Sequence, residues 1–146
     1  MRSGHREAQM QFERLGRQLG YRCRRSWTRE HPTDGVWLLD THQVGFDELP
    51  VAALEVVVSE TGKALRGSIS TLEMVSPALG ILLVQDHEIR RGLVRAGASP
   101  ESAAKHLRRL LATTEADLTR SRQRIALWTF DQLQRRTRVT VSRPAA

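Results

Sequence analysis

A nearly continuous apolar run spans residues 49–59 and contains a single carboxylate, Glu55, in its middle. A run this rich in valine and leucine is typical of a strand that is buried on both faces. A carboxylate in such a strand is costly unless it has a partner, a metal ion or a catalytic role. The strand alone is equally consistent with a Glu55 that lies near the strand end and only accepts backbone hydrogen bonds.

The segments after this run predict a βαβ unit. Apolar residues recur at helical spacing over residues 64–75, and Pro77 is expected to end that helix. Residues 78–84 form a second fully apolar run. A strand, a helix and a strand joined by short links predict two parallel strands connected by a right-handed crossover.

The chain before the central run predicts one helix and two strands. Apolar residues at helical spacing predict a helix over residues 6–19. Residues 21–28 alternate in part and predict an edge strand with exposed arginines, and a turn cluster at residues 31–35 leads into a short apolar strand at residues 36–39. The polar segment 40–48 is expected to connect that strand to the central run.

The chain after the βαβ unit predicts further helices and one more strand. Residues 86–97 are basic and begin as a helix, and Ser99 with the proline after it is a strong start for a helix that continues to about Leu118. Residues 125–130 predict a strand, and the basic tail from about residue 132 predicts a short strand at residues 139–142. We therefore expect one α/β domain over residues 1–146, with a central mixed β-sheet flanked by helices.

Charge is the most informative feature of the composition. The chain has 146 residues and a net charge of +7, which favours a polyanionic partner, with nucleic acid first and an acidic membrane second. Only Lys63 and Lys105 are lysines, and arginine forks well onto phosphates, although a GC-rich coding bias gives the same enrichment. The single cysteine, Cys23, excludes an internal disulfide. Without a signal peptide or a membrane-spanning run, we expect a cytoplasmic protein with no membrane partner.

Two carboxylates stand at positions where they can act together. Asp34 precedes the short strand at residues 36–39, and Glu55 lies in the next strand. If these strands are hairpin neighbours, both carboxylates can bind one divalent cation, because Mg²⁺ prefers oxygen ligands and is often held by one or two carboxylates. A metal held in this way activates water and stabilises the charge that develops during phosphodiester cleavage.

The order of these elements resembles the PD-(D/E)xK nuclease superfamily, which has the restriction-endonuclease-like fold. The matching pieces are a helix containing Glu13, the segment Pro32-Thr33-Asp34, the segment Leu54-Glu55-Val56-Val57, and the helix and parallel strand that follow. The similarity covers about residues 6–130. It implies that Asp34 and Glu55 are catalytic metal ligands for Mg²⁺ or Mn²⁺, and that Glu13 stands where some members place an additional acidic residue.

Position 57 departs from the pattern of that superfamily. The family places a lysine two residues after the glutamate, where it orients the attacking water and stabilises charge, but this chain has Val57. Two explanations remain open. The basic group has moved to the following helix, where Lys63 or Arg66 takes the catalytic role, or the site is inactive and the fold is kept for binding.

These features together predict a metal-dependent endonuclease acting on DNA, with RNA as the alternative nucleic-acid partner. The alternatives are a catalytically inactive DNA-binding protein or complex subunit on the same fold, and a protein–protein module whose positive charge is incidental. A domain this small is expected to act as a homodimer or within a larger complex. The arginines expected to bind the nucleic-acid backbone, largely independently of sequence, are Arg66, Arg90, Arg91, Arg108, Arg109, Arg135 and Arg136.

Overall fold

The chain forms an α/β structure in which helices flank a five-stranded mixed sheet. The computed structural model describes residues 3–45, 48–59, 62–75 and 77–142. In chain order the elements are α1 (Ser3–Gln18), β1 (Arg22–Arg24), β2 (Gly35–Asp40), a 3₁₀ turn (His42–Val44), β3 (Glu48–Val57), α2 (Gly62–Val75), β4 (Leu79–Val84), α3 (Asp86–Arg95), α4 (Pro100–Leu118), β5 (Ile125–Thr129) and α5 (Phe130–Ser142).

The sheet follows the order of the strands in the chain. β1, β2 and β3 pair antiparallel, whereas β3, β4 and β5 pair parallel. The pairing of β3 with β4 across α2 confirms the predicted βαβ unit, and the pairing of β2 with β3 confirms the expected hairpin neighbours. β3 is therefore the central strand, and its last residue, Val57, lies opposite Val84 at the end of β4.

Alternating residues of β3 face two different hydrophobic layers. Leu54 and Val56 pack in the layer that contains Phe12 of α1 and Leu133 of α5. Ala53 and Val57 pack in the opposite layer, against apolar residues of α2 and Leu118 of α4. Because side chains alternate along a strand, Glu55 belongs to the same face as Ala53 and Val57, beneath α2.

Several predicted elements are confirmed with shifted bounds. Ser99 caps α4, with its hydroxyl accepting a hydrogen bond from the Ser102 amide at 3.1 Å, and a proline opens the helix as predicted. The predicted edge strand over residues 21–28 is limited to Arg22–Arg24. The helix predicted over residues 6–19 spans Ser3–Gln18, so Leu19 lies beyond it and is half exposed.

The predicted strand at residues 139–142 is wrong, because these residues belong to α5. Phe130, Leu133 and Thr137 are buried at the spacing of one helical face, and they pack α5 next to β5. This narrow stripe is sufficient to order a helix whose other positions are mostly basic or polar. No helix in the described part of the chain has both the length and the apolar character needed to cross a membrane.

One close contact between α1 and the sheet depends on a glycine. A Cβ built at Gly16 would overlap the Trp37 indole and approach the Cys23 sulphur, and the Trp37 indole N–H donates to the Phe12 carbonyl at 3.0 Å. We expect Gly16→Ala to lower the free energy of unfolding by about 2 kcal/mol, because overpacking a close contact outweighs the better helix propensity of alanine. Urea denaturation measures this change.

A second glycine in a helix provides the matched control. A Cβ at Gly67 of α2 would have open space around it. Gly67→Ala is therefore expected to raise the free energy of unfolding by up to about 1 kcal/mol, through helix propensity alone. Equal effects of the two substitutions would show that the contact at Gly16 does not constrain the packing of α1.

Candidate functional site

Asp34 is held at the start of β2 by hydrogen bonds to all of its polar groups. Its amide donates to the Leu54 carbonyl at 2.9 Å, and its Oδ2 accepts from the Val56 amide at 2.8 Å. Its Oδ1 lies 3.1 Å from Nε2 of His5, and its carbonyl accepts from Nε2 of Gln9 at 3.1 Å. The carboxylate is therefore fixed beside β3, between strands and α1.

Glu55 reaches the same place from β3. Its carboxyl group forms hydrogen bonds with the side chains of Asp34 and of Thr71 on α2. Burial, the nearby Asp34 charge and the hydrogen bond to Asp34, in this order of importance, raise the pKa of the Glu55 carboxyl, and the hydrogen bond with Thr71 lowers it; together they bring it to about 9. The predicted convergence of the two carboxylates is thus present in the structure.

A partly buried pair of carboxyl groups in contact is the arrangement that a divalent cation would stabilise. Two like charges at hydrogen-bond distance cannot both ionise without a cation, so one of them holds a proton. The donor set consists of carboxylate oxygens, which suits Mg²⁺ or Mn²⁺ rather than a softer metal. Within the described residues, no three His, Cys, Asp or Glu side chains are grouped closely enough to form a complete metal site, so waters and a phosphate would have to supply further ligands.

Val57 and the two basic residues of the following helix, Lys63 and Arg66, lie in different environments. Val57 is buried among the apolar residues beneath α2, where it cannot supply charge. Lys63 is exposed near the start of α2 and precedes Thr71 by eight residues, which is about 12 Å of helix. Arg66, also exposed, is closer to Thr71 along the same helix. No lysine or arginine of the described chain forms an ion pair with Asp34 or Glu55.

The α1 residues next to the carboxylates differ from the one that the resemblance implies. Glu13 pairs with Arg17 at the far end of α1, and its carbonyl accepts a hydrogen bond from the Cys23 thiol. The residues of α1 that contact Asp34 are His5 and Gln9. Sequence reasoning missed both, although they are spaced one helical turn apart on the side of α1 that also carries Phe12.

A third polar residue links the ends of β3 and β4 to α1. Gln85 follows β4 and is almost fully buried. Its amide N–H donates to the Val57 carbonyl at 2.8 Å, and its side-chain Nε2 donates to the Gly4 carbonyl at 3.0 Å. Gly4 immediately precedes His5, so Gln85 ties the start of α1 to the strand end that carries Glu55.

The predicted nucleic-acid-binding arginines fall into two groups. Most of them lie in the first two turns of the helices that directly follow the parallel strands. These arginines are therefore at the same ends of the strands as Glu55. In many α/β sheets, ligands bind at these strand ends. Arg91 pairs with Glu88 at 2.9 Å, and the Arg136 guanidinium lies 4.4 Å from the centre of the Trp128 ring. The first group is Arg66, Arg90, Arg91, Arg135 and Arg136, and the second, in the middle of α4, is Arg108 and Arg109.

Comparison with known proteins identifies no relative. No family model, no curated protein and no solved structure matches the chain.

Proposed function

We propose that the chain is a divalent-metal-dependent endonuclease with a restriction-endonuclease-like fold that hydrolyses phosphodiester bonds in DNA. The observation that carries this proposal is the contact between Asp34 and Glu55 near the carboxyl end of β3, where no lysine or arginine among the described residues forms an ion pair with either carboxylate. A structural carboxylate pair of this kind only destabilises the fold, whereas a pair that binds a cation gains from the same arrangement.

Asp34, Glu55 and Thr71 have different roles in the proposed metal site. A bound Mg²⁺ or Mn²⁺ ion would supply charge stabilisation and a more acidic water for attack on phosphorus. Asp34 and Glu55 would hold that ion, and the hydrogen bond from the Val56 amide keeps the Asp34 carboxylate aimed at the same point as Glu55. Thr71 orients Glu55 from the side of α2.

The basic groups of the proposed site come from the helices after the parallel strands. Lys63 and Arg66 of α2 would take the place of the lysine that is absent at position 57, by contacting the phosphate rather than the metal. Arg90, Arg91, Arg135 and Arg136 would hold the flanking phosphates, largely independently of sequence. RNA offers the same phosphates, and a homodimer or a larger complex would extend the short contact surface of one domain.

The second candidate is a nuclease-fold protein that binds DNA without cutting it. The observation that favours it is the burial of Val57 in the apolar layer under α2, which leaves the carboxylate pair without a lysine at that position. Such a protein would use the same arginines as a binding surface, either alone or as a subunit of a nucleic-acid-processing complex.

Incubation with DNA separates these functions. Supercoiled plasmid and branched DNA are incubated with the protein in Mg²⁺, in Mn²⁺ and in EDTA. The endonuclease is supported by nicking that requires either metal and stops in EDTA. Retarded migration without any cleavage contradicts the endonuclease and favours the binding protein. Absence of both cleavage and retardation at low salt overturns both and leaves a protein–protein module.

The two basic residues of α2 are expected to contribute unequally. Arg66 lies closer to Thr71 along the helix axis than Lys63 does, so we expect Arg66→Ala to weaken DNA binding about tenfold and to reduce its salt slope by about one. Lys63→Ala is expected to change binding less than about threefold. Fluorescence anisotropy of a labelled duplex across a salt series measures both. A larger effect of Lys63→Ala would reverse the assignment of the basic group.

A further inference from the structure

The buried side of α1 changes from apolar to polar where the helix passes Asp34. Ala8, Phe12 and Leu15 are buried and belong to the apolar layer between α1 and the sheet. Towards the start of the helix, the equivalent side carries His5 and Gln9, and Gln9 is only 8% exposed. A leucine or methionine at position 9 would continue the apolar layer without burying an amide.

The donor atoms of both side chains are directed at Asp34. The Gln9 amide donates to its backbone carbonyl and His5 Nε2 contacts its Oδ1, both at 3.1 Å. Because a carbonyl oxygen only accepts, the contact fixes the Gln9 amide with its Nε2 towards Asp34. One helical turn separates the two residues, so α1 contacts both the backbone carbonyl and the carboxylate of Asp34.

The other polar atom of each of these two side chains is buried without a hydrogen bond to the described residues. Within the described residues, Nδ1 of His5 and Oε1 of Gln9 are buried without a hydrogen-bond partner. An unsatisfied buried polar group destabilises a fold, so packing alone does not account for these two residues. Their common property is the contact with Asp34.

We infer that His5 and Gln9 are positioning residues, which form a clamp that holds the Asp34 carboxylate in the orientation needed to share a divalent cation with Glu55. The use of the clamp in metal binding rests on the proposed function, whereas its effect on Asp34 does not. The clamp acts together with the Val56 amide, which donates to the other carboxylate oxygen at 2.8 Å. Loss of the clamp therefore frees the carboxylate to rotate away from Val56.

The Val56 amide reports on the clamp in the metal-free protein. We expect Gln9→Met and His5→Leu to increase the hydrogen-exchange rate of this amide at least about tenfold, because a hydrogen bond to a charged group is weakened. His5→Gln keeps an N–H donor and is expected to restore most of the protection. Gln18→Met, an exposed position of the same helix, is the matched control and is expected to leave the Val56 amide unchanged.

The unsubstituted protein gives a second measurement that does not depend on the folding of α1 variants. A slowly exchanging Nε2 proton of His5 is expected by nuclear magnetic resonance, and Asp34→Ala is expected to abolish it. An unchanged Val56 amide in Gln9→Met and His5→Leu, or a His5 proton that is insensitive to Asp34→Ala, would overturn the clamp whether or not the protein binds metal.

Metal affinity then connects the clamp to the proposed function. We expect Gln9→Met and His5→Leu to weaken Mn²⁺ binding about tenfold, as loss of groups that orient metal ligands commonly does, and Gln18→Met to leave it unchanged. Wild-type affinity in both clamp variants would overturn the role in metal binding. Absence of Mn²⁺ binding by the unsubstituted protein would instead overturn the proposed function and, with it, this use of the clamp.

Discussion

Asp34→Ala and Glu55→Ala are each expected to reduce metal-dependent nicking of supercoiled plasmid by at least about a thousandfold. Each substitution removes one of the two carboxylates that converge near the carboxyl end of β3. With one carboxylate left, the cation is no longer fixed against the phosphate, and the electrostatic stabilisation of the reaction is lost. Initial nicking rates in Mg²⁺, compared at equal protein concentration, measure the effect.

An acidic residue elsewhere on the surface controls for the change in net charge. Glu115 is exposed on α4, and Glu115→Ala is expected to nick at the wild-type rate. DNA binding by all three variants is expected to be equal to or tighter than wild type, since Asp34→Ala and Glu115→Ala each remove a negative charge, and Glu55, with a pKa of about 9, is protonated near neutral pH in the absence of a cation. Nicking that survives at more than about a tenth of the wild-type rate in Asp34→Ala or Glu55→Ala would contradict their role.

Glu55→Gln is expected to stabilise the metal-free protein at pH 8 by on the order of 4 kcal/mol. The pKa of Glu55 is about 9 in the folded protein, against 4.5 for an ordinary glutamate, mainly because the carboxyl is buried. Each unit of difference corresponds to about 1.4 kcal/mol of linked free energy. Glutamine keeps the shape of the protonated carboxyl group and removes its titration.

The sign of the pH dependence follows from the raised pKa. Below pH 4.5, Glu55 is protonated in both the folded and the unfolded chain, and its titration does not affect stability. As the pH rises towards 9, the unfolded chain releases this proton while the folded chain retains it, so the contribution of Glu55 to stability becomes progressively more unfavourable. Glu55→Gln and wild type are therefore expected to differ little near pH 4 and most above pH 8.

Urea unfolding at a series of pH values in EDTA measures this difference. Glu73→Gln, at an exposed position of α2, controls for the substitution itself and is expected to show no comparable pH-dependent gain. Addition of Mn²⁺ is expected to stabilise wild type and not Glu55→Gln. A constant difference between Glu55→Gln and wild type from pH 4 to pH 8 would contradict the assignment of the raised pKa to Glu55.

Much of the sheet is predictable from the sequence because its central strands are strongly patterned. The apolar runs that became β3 and β4, with a short helix between them, leave little choice but a parallel pair. The contact between Asp34 and Glu55 is also predictable in outline, since adjacent strands bring their side chains within reach.

The parts that escape prediction depend on tertiary contacts. α5 reads as a basic tail because Arg135, Arg136 and Arg138 dominate its sequence, and only its position against the sheet makes the stripe of Phe130 and Leu133 significant. Polar residues at the start of α1 read as solvent-exposed, because nothing local shows that this turn crosses the start of β2. The sequence likewise does not indicate that side chains of α1, rather than of α2, contact Asp34.

Asp34 and Glu55 together are expected to form a divalent-cation site. Isothermal titration calorimetry of the metal-free protein with Mn²⁺ near pH 7, in two buffers of different ionisation enthalpy, tests this site most directly. We expect one ion per chain, release of about one proton because Glu55 must ionise to bind it, and loss of binding in both Asp34→Ala and Glu55→Ala. Absence of binding by the wild type, or binding that both variants retain with wild-type affinity, would contradict it.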